Sequence, residues 1–253
     1  MLFDTHAHLD FKTFKDDFDS VLQRAKDNGV THITSIGIDL QTSKNAVAIA
    51  EQHENIWATV GLHPCDLEDF SEENFAEQEE MLSHPKVVAV GEIGLDYYHK
   101  LNYSNEFQID IFRKYLRLAK KHSMPVVIHK RNSDEDTYRV LKEENVGKGI
   151  LHCFDGDTKL ALDFIELGFH ISFPGIVTFK NSKLFEVAKE LPLEKMLVET
   201  DSPFLAPHPN RGKRNEPSFV RLTAEKIAEV KGISLEEFAT QTTQNAKNVF
   251  GIS

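Results

Sequence analysis

The chain has 253 residues, a formal net charge of −11 at neutral pH and a hydrophobic content of 40%. This is the composition of a folded globular protein that can form one large domain or two average ones, and no apolar run approaches the length of a bilayer span. The acidic balance disfavours broad electrostatic attraction to nucleic acid or to anionic membranes, but it is compatible with a locally basic cleft.

The cysteines and the amino terminus indicate the cellular compartment. Cys65 and Cys153 lie far apart and form no CxxC motif, so the sequence predicts neither a disulfide framework nor a thiolate zinc site. Asp4, His6 and Asp10 stand where a secretory signal peptide would carry a basic patch and a long apolar run. We expect a reducing, cytoplasmic location, with no membrane association and no obligate protein partner.

Short apolar runs rich in β-branched residues alternate with longer segments of helical periodicity. Eight runs occur, at residues 1–3, 31–38, 56–60, 87–90, 125–128, 149–151, 169–173 and 195–198. Gly29, Gly147 and Gly168 stand where the helices before three of these runs should end. Eight repeats of strand and helix predict an α/β fold, a parallel sheet closed as a (β/α)8 TIM barrel, with residues 1–253 forming a single domain.

A proline-rich loop follows the eighth predicted strand and leads into a basic cluster, Arg211, Lys213 and Arg214. Two helical segments then follow. The second begins at Ser234, and the spacing of Ser234 and Glu237 predicts a capping box, in which each side chain accepts a hydrogen bond from the other residue's backbone amide. The barrel should therefore carry an extra C-terminal helix.

Titratable residues stand at the carboxyl ends of six of the predicted strands, and barrels of this kind place their chemistry at that edge. His6 and His8 are two residues apart, so a strand would point both side chains to one face. The full set is His6, His8, His63, Glu92, His129, His152 and Asp201.

Each of these residues has an ordinary alternative when it is considered alone. His129 or His152 can be a hydrogen-bonded core histidine, Glu92 an ion-pair partner and Asp201 a helix or turn cap. Those alternatives would all have to hold along one rim, where crowded buried carboxylates and imidazoles are costly without a compensating cation. A set of histidines and carboxylates suits zinc, manganese or a similar divalent transition ion better than calcium.

The number of candidate ligands favours two metal ions. Even without His63, four histidines and two carboxylates exceed what one hydrolytic ion with an open position needs. Glu92 is the predicted bridge, because a carboxylate has two oxygens to share. We assign the first ion to His6, His8, Glu92 and Asp201, and the second to Glu92, His129 and His152.

Six motifs together resemble the TatD family of metal-dependent deoxyribonucleases, in the order that the family shows. They are Asp4-Thr5-His6-Ala7-His8, Gly61-Leu62-His63-Pro64, Gly91-Glu92-Ile93-Gly94-Leu95-Asp96-Tyr97-Tyr98, His152-Cys153-Phe154-Asp155-Gly156, Thr200-Asp201-Ser202-Pro203-Phe204-Leu205 and Arg211-Gly212-Lys213-Arg214-Asn215-Glu216-Pro217. The resemblance implies a TIM-barrel hydrolase of the amidohydrolase superfamily. It also implies two divalent ions, of zinc, manganese, magnesium, nickel or cobalt, at the ligands selected above.

Two details refine this resemblance. Related barrels often bridge their metals with a carbamylated lysine, but the fourth predicted strand ends in Glu92 and Lys86 lies at its opposite end, which favours the TatD type. The family more often has His-x-Arg-x-Ala where this chain has residues 129–133. Arg131 keeps its place and Ser133 is the variation, so the departure concerns local packing and leaves His129 as a ligand.

The mechanism expected for such a centre uses water activated by two metals, with Asp201 as general base and Glu92 as the second catalytic carboxylate. His63 is expected to bind the substrate or the leaving group. Arg131, Arg211 and Arg214 are expected to bind phosphates, because guanidinium groups match phosphate geometry. The alternative for the cluster at 211–214 is a solvated run of surface charge.

Aromatic residues near the same rim are candidates for stacking on bases. Tyr97, Tyr98 and Phe154 can serve this purpose, and for Phe154 core packing is an equal alternative. The resemblance implies a 3'-to-5' deoxyribonuclease that acts on single-stranded DNA or frayed 3' ends. Hydrolysis of a small phosphoester, a lactone or an amide is an alternative served by the same metals, and a non-catalytic metal-binding quality-control protein is another.

Overall fold

The structure is a computed structural model that describes residues 1–252. Eight parallel strands form one sheet in which each strand pairs with the next along the chain. They are β1 (Leu2–Ala7), β2 (Val30–Ser35), β3 (Ile56–Val60), β4 (Val87–Asp96), β5 (Val126–Arg131), β6 (Gly149–Leu151), β7 (Phe169–Phe173) and β8 (Met196–Val198). The segment after β8 returns to β1, where the Asp201 amide donates to the carbonyl of His6 and the His8 amide donates to that of Ser202, both at 2.8 Å.

Within residues 1–252, seven α-helices connect consecutive strands and two more follow β8. They are α1 (Phe18–Asp27), α2 (Leu40–Gln52), α3 (Glu72–Met81), α4 (Asn105–Lys121), α5 (Asp134–Glu144), α6 (Thr158–Glu166), α7 (Leu184–Glu190), α8 (Val220–Lys231) and α9 (Leu235–Phe250). This alternation confirms the predicted (β/α)8 TIM barrel with an extra C-terminal helix. No helix of the described residues combines the length and the apolar character needed to cross a bilayer.

Strands β1 and β4 extend beyond their predicted ends. The predicted runs stop at residues 3 and 90, whereas the strands continue to Ala7 and Asp96. Both strands pass through buried polar residues, including His6 and Glu92, which interrupt the apolar pattern. The register of each strand shifts around that residue, and the pairing resumes beyond it. The paired positions of β4 and β5 accordingly continue as far as Asp96 and Arg131. His6 and Glu92 therefore lie inside strands and not in the loops that follow them.

Helix α9 covers the amino-terminal end of the barrel. Its apolar residues pack against the second residue of each of five strands, namely Phe3, Val88, Val127, Ile150 and Leu197. The ring centroids of Phe3 and Phe250 are 5.7 Å apart. Because this apolar cluster closes one end of the barrel, the carboxyl-terminal end is left as the open mouth.

The predicted helix ends are largely present. Gly29, Gly147 and Gly168 have φ angles of +81°, +83° and +99°, a region that favours glycine. At Gly168 an added Cβ would also stand 2.2 Å from the carbonyl oxygen of Gly147. The Ser234 hydroxyl accepts the amide of Glu237 at 3.1 Å, which is one of the two bonds of the predicted capping box.

Candidate metal centre

All six predicted metal ligands meet at the carboxyl-terminal mouth of the barrel. Three lie within strands and three follow a strand within one to three residues. Their side chains are buried except that of His129, which is half-buried. All but His6 line a cavity of about 840 Å³. The ligands, in chain order, are His6, His8, Glu92, His129, His152 and Asp201.

Glu92 stands at the centre of this group, and each of its carboxylate oxygens faces a different pair of histidines. Its Oε2 atom is 3.3 Å from Nε2 of His6 and 3.9 Å from Nε2 of His8. Its Oε1 atom is 2.8 Å from Nε2 of His152 and 3.0 Å from Nδ1 of His129. A carboxylate in this position can share its oxygens between two cations.

Asp201 completes the group around the end of β1. Its Oδ1 atom is 3.3 Å from Nε2 of His8 and 3.7 Å from Nε2 of His6. Asp4 fixes the adjoining turn, because its carboxylate accepts both the amide of Thr200, at 2.8 Å, and the hydroxyl of Thr200, at 2.6 Å. Burial raises the pKa of Asp4 to about 8, although the Thr200 bonds act in the opposite direction. The bonds between Asp4 and Thr200, together with the bond from the Asp201 amide to the His6 carbonyl, hold Asp201 beside the histidines of β1.

Several buried nitrogens of the centre lack hydrogen-bond partners within residues 1–252. They are both ring nitrogens of His6, both of His152 and Nδ1 of His8. His152 Nε2 is 2.8 Å from Glu92 without forming a hydrogen bond of acceptable direction. Unpaired buried polar atoms are costly, whereas neutral imidazole nitrogens are the commonest metal ligands in proteins. The donor set therefore fits divalent cations.

Two further carboxylates contact His129 and His152 at the ring nitrogens that are not directed to Glu92. Asp96 Oδ2 accepts a hydrogen bond from His129 Nε2 at 3.0 Å, and Glu199 Oε1 lies 3.4 Å from His152 Nδ1. The Asp96 and Glu199 side chains are both fully buried. A ligand histidine commonly donates its second ring N–H to a carboxylate, which fixes the tautomer that is presented to the metal. His129 can then offer Nδ1, and His152 can offer Nε2.

Charges within the centre keep the carboxylates ionised despite burial. Burial acts to raise the pKa of Glu92, but the surrounding histidines, His152 first among them, hold it well below its usual range. Burial likewise acts to lower the pKa of His152, but Glu92 and Glu199 raise it well above its usual range. The pKa values of His8 and His129 are raised as well, so without a cation these three histidines collect protons, and metal binding would release them.

His63, left outside both predicted metal positions, faces the same carboxylate. Its Nε2 atom is 3.5 Å from Oε1 of Glu92, and its Nδ1 atom accepts the backbone amide of Cys65 at 3.1 Å. Because Nδ1 is an acceptor, the ring proton must be on Nε2, which points to the centre. Burial, followed by the charge of His129, lowers the pKa of His63 to about 3. His63 is therefore a neutral hydrogen-bond donor. One possible metal-donor atom of His63 also lies within 4.8 Å of such atoms of Glu92 and His129.

The three predicted phosphate-binding arginines separate into two groups. Arg131 lines the cavity, with its guanidinium carbon 3.9 Å from the ring centroid of Tyr98. Arg211 and Arg214 lie outside the lining formed by the described residues. Arg214 donates to the Asp17 carboxylate at 2.7 Å, which occupies its guanidinium in an ion pair. The structure thus brings only Arg131 of the three to the centre.

The candidate stacking residues also differ in accessibility. Tyr98 is 57% exposed, whereas Phe154 is 1% exposed and packs in the core. The Tyr97 hydroxyl donates to Asp136 at 2.9 Å. Phe204, which is 46% exposed and lines the cavity, was absent from the predicted set. Tyr98 and Phe204 are therefore the exposed aromatic side chains at this mouth that can meet a base.

Sequence reasoning overlooked Asp96 and Glu199. Asp96 lies four residues after Glu92 in the same strand, so the strand alternation that paired His6 with His8 also indicates that Glu92 and Asp96 share a face. Glu199 directly follows the apolar residues of β8, whereas the residue predicted at that strand end was Asp201. Asp96 was thus accessible to the same periodicity argument, whereas no local signal ties Glu199 to His152.

Comparisons with known proteins show the family and support the fold. The family model described as "TatD related DNase" matches residues 3–251. The uncharacterized metal-dependent hydrolase YabD of Bacillus subtilis is 46% identical over 257 residues, which cover 100% of each chain. The 3'-5' ssDNA/RNA exonuclease TatD of Erwinia amylovora is 32% identical over 261 residues, 99% of this chain and 100% of the other. The crystal structure of YJJV, a TatD homolog from Escherichia coli, superposes with a TM-score of 0.95 at 31% identity, covering 100% of this chain and 98% of that chain.

Proposed function

The chain belongs to the TatD-related DNase family of metal-dependent hydrolases, and from this membership we propose that it is a deoxyribonuclease of the 3'-to-5' exonuclease type. Its substrate would be single-stranded DNA or frayed 3' ends, and its location cytoplasmic. The observation that carries the proposal is the position of Glu92, whose two carboxylate oxygens face two different histidine pairs. The similarity to a relative named a single-stranded DNA and RNA exonuclease supports the substrate class.

Two divalent ions would be held by the ligands assigned from the sequence. The first would take His6, His8, Glu92 and Asp201, and the second Glu92, His129 and His152. The orphaned nitrogens of His6 and His152 support this assignment, because they have no other partner among the described residues. When bound, such ions supply Lewis acidity toward the phosphodiester and lower the pKa of water.

Asp201 is suited to act as the general base of this reaction. Burial acts to raise its pKa, but a hydrogen bond from His8 and the charges of nearby histidines hold that pKa below its usual range. Its carboxylate is therefore ionised at neutral pH. Because 12% of the side chain stays exposed at the cavity, the carboxylate can accept a proton from attacking water.

His63 and Arg131 would position the phosphate. The Nε2–H of His63 points to the centre and can donate to a phosphoryl or leaving oxygen without changing charge. Arg131 stacks on Tyr98, so its guanidinium plane is held at the mouth while its N–H groups stay available to phosphate oxygens. Tyr98 and Phe204 would stack on bases in a sequence-tolerant way. For Arg211 and Arg214 a role in phosphate binding stays a prediction, restricted to strands long enough to extend beyond the cavity.

A small substrate is the second candidate. The net charge of −11 leaves little basic surface for a long polyanion, and acidic residues such as Asp66 and Asp155 line the cavity together with Lys130 and Arg131. A small phosphoester, a lactone or an amide would need fewer phosphate contacts. A non-catalytic metal-binding quality-control role would not require the cavity of about 840 Å³ that opens onto the centre.

The deciding experiment measures turnover of a single strand labelled at either end, in parallel with model phosphodiesters, lactones and amides, over a series of divalent ions. We expect loss of nucleotides from the 3' end, and a decrease of at least about 100-fold for Glu92→Gln and Asp201→Asn. Glu186→Gln and Asp110→Asn, at exposed helix positions, are the matched controls. Turnover of a small ester without turnover of DNA would favour the second candidate. Wild-type turnover by both site variants, with metal content unchanged, would refute the two-metal mechanism.

A further inference from the structure

A second group of possible metal donors lies at the rim of the cavity, beside the centre described above. It consists of Cys65, Asp96 and His99, which we call the rim cluster. The Sγ atom of Cys65 is 3.6 Å from Nδ1 of His99, and that nitrogen is 2.9 Å from Oδ2 of Asp96. One donor atom from each residue lies within 4.8 Å of the others.

These spacings are close to those of a metal site. In a tetrahedral zinc site with bonds of the usual length, neighbouring donor atoms are roughly 3.3–3.8 Å apart. The pair formed by Cys65 and His99 falls in that range, whereas Asp96 and His99 are closer because a proton is shared between them. A cation that replaced this proton would need only a small outward movement of the His99 ring, whose side chain is 47% exposed.

The chemistry of the three donors favours a cation of a particular class. Thiolate, imidazole and carboxylate together suit Zn²⁺ or a similar borderline ion, whereas Mg²⁺ prefers oxygen donors. Asp66 and Glu92 bring negative charge to the cavity lining that they share with Cys65 and His99. An ion at the rim would therefore be reached from the open mouth, with a coordination position directed to the cavity.

The rim cluster is also connected to the centre. Oδ2 of Asp96 accepts hydrogen bonds from His99 at 2.9 Å and from Nε2 of His129 at 3.0 Å. One carboxylate oxygen thus contacts both a rim donor and a ligand of the second predicted metal. We propose that Cys65, Asp96 and His99 form an additional cation site, for Zn²⁺ or a similar ion, distinct from the two-metal centre and joined to it through Asp96.

Cobalt provides a probe that distinguishes the rim from the centre. The ligands of the centre are histidines and carboxylates, so a thiolate-to-cobalt charge-transfer band can arise only from a cysteine. The full chain, freed of metal by chelation, is titrated with Co²⁺ and followed by absorption spectroscopy and elemental analysis. We expect the band in the wild type and in Cys153→Ser, which is the matched control because Cys153 also lines the cavity. Cys65→Ser should lack the band and bind one ion fewer.

A second variant protects this test against misfolding. His99→Asn changes a side chain that is 47% exposed. It should lower the affinity for the ion responsible for the band at least tenfold. The melting temperature of the metal-free protein should stay unchanged. The proposal is overturned if saturated wild type shows no band, if the band persists in Cys65→Ser, or if it is lost in Cys153→Ser. It is also overturned if His99→Asn binds this ion as tightly as the wild type.

Discussion

Asp96 and His129 are joined by a hydrogen bond of 3.0 Å from Nε2 of the ring to Oδ2 of the carboxylate, and the opposite ring nitrogen of His129 lies 3.0 Å from Glu92. Asp96 thereby determines which nitrogen His129 can present to a cation. The pair lies on neighbouring strands and is offset by two register positions, since β4 and β5 pair Gly94 with His129 and Asp96 with Arg131. Positioning of the second predicted metal thus depends on a residue outside its ligand set.

Replacing Asp96 with asparagine should lower the affinity for the second predicted metal ion without displacing the first. The amide can accept a hydrogen bond but carries no charge, and loss of such an outer partner typically costs about 10- to 100-fold in metal affinity. Competition with a chelator, followed by elemental analysis, should show one ion of the centre held tightly and the other held more weakly, with the rim ion lost because Asp96 is one of its donors. Asp110→Asn, at an exposed position of α4, should leave both unchanged. Equal weakening of both ions would contradict a specific role through His129.

His63 should contribute to turnover without being a ligand of either predicted metal ion. The amide of Cys65 fixes the tautomer, so only Nε2–H can donate to the substrate. His63→Ala should lower kcat by about 10- to 100-fold, the usual effect of losing a hydrogen bond to a charged group. His63→Asn retains an N–H donor and should keep more activity than His63→Ala. Loss of a bound metal ion in both variants would instead identify His63 as a ligand of the group that it forms with Glu92 and His129.

The sequence was sufficient to predict the barrel and the side chains that meet at its mouth because both signals are local. Each ligand follows or continues an apolar run, and parallel strands bring all their carboxyl ends to one edge. Partners distant in sequence were not predictable in this way. The basic cluster at 211–214 does not reveal that Arg214 pairs with Asp17, 197 positions earlier. Nor does any local pattern connect Glu199 with His152, since that contact depends on how two loops meet in space.

Arg131 and Arg211 should differ in their effect on substrate binding. Arg131→Ala should raise KM for a single-stranded oligonucleotide and reduce the salt dependence of binding by about one phosphate contact. Arg131→Lys should recover only part of this, because lysine lacks the planar fork that stacks on Tyr98. Arg211→Ala should matter only for strands that extend beyond the cavity. A comparable rise in KM for the shortest substrates would show that Arg211 reaches the centre.

Asn245 should be important for anchoring α9 to the barrel. Its side-chain amide donates to the carbonyls of Leu193, at 2.8 Å, and Met196, at 3.0 Å. Asn245→Ala removes both bonds, although the Leu193 carbonyl still accepts the amide of Met196, and it should lower the free energy of unfolding by about 1–3 kcal/mol. Urea denaturation measures this change. Asn248→Ala, at an exposed position of the same helix, should change it by less than about 0.5 kcal/mol. Equal effects would show that the two carbonyl contacts do not stabilise the fold.

His170 should make the stability of the barrel sensitive to pH. Burial, followed by the positive charge of Lys195, lowers the pKa of His170 from 6.5 to about 4. Between these values the unfolded chain binds a proton that the folded chain does not, so the free energy of unfolding falls as the pH falls from 6.5 toward 4. His170→Gln cannot bind this proton. The difference in the free energy of unfolding between this variant and the wild type should therefore increase, in favour of the variant, by on the order of 1 kcal/mol as the pH falls from 6.5 to about 4. The two curves should run parallel above neutral pH.

Urea denaturation at a series of pH values measures both, with His208→Gln, on an exposed loop, as the control. Curves for wild type and His170→Gln that stay parallel through the acid range would contradict a depressed pKa at His170.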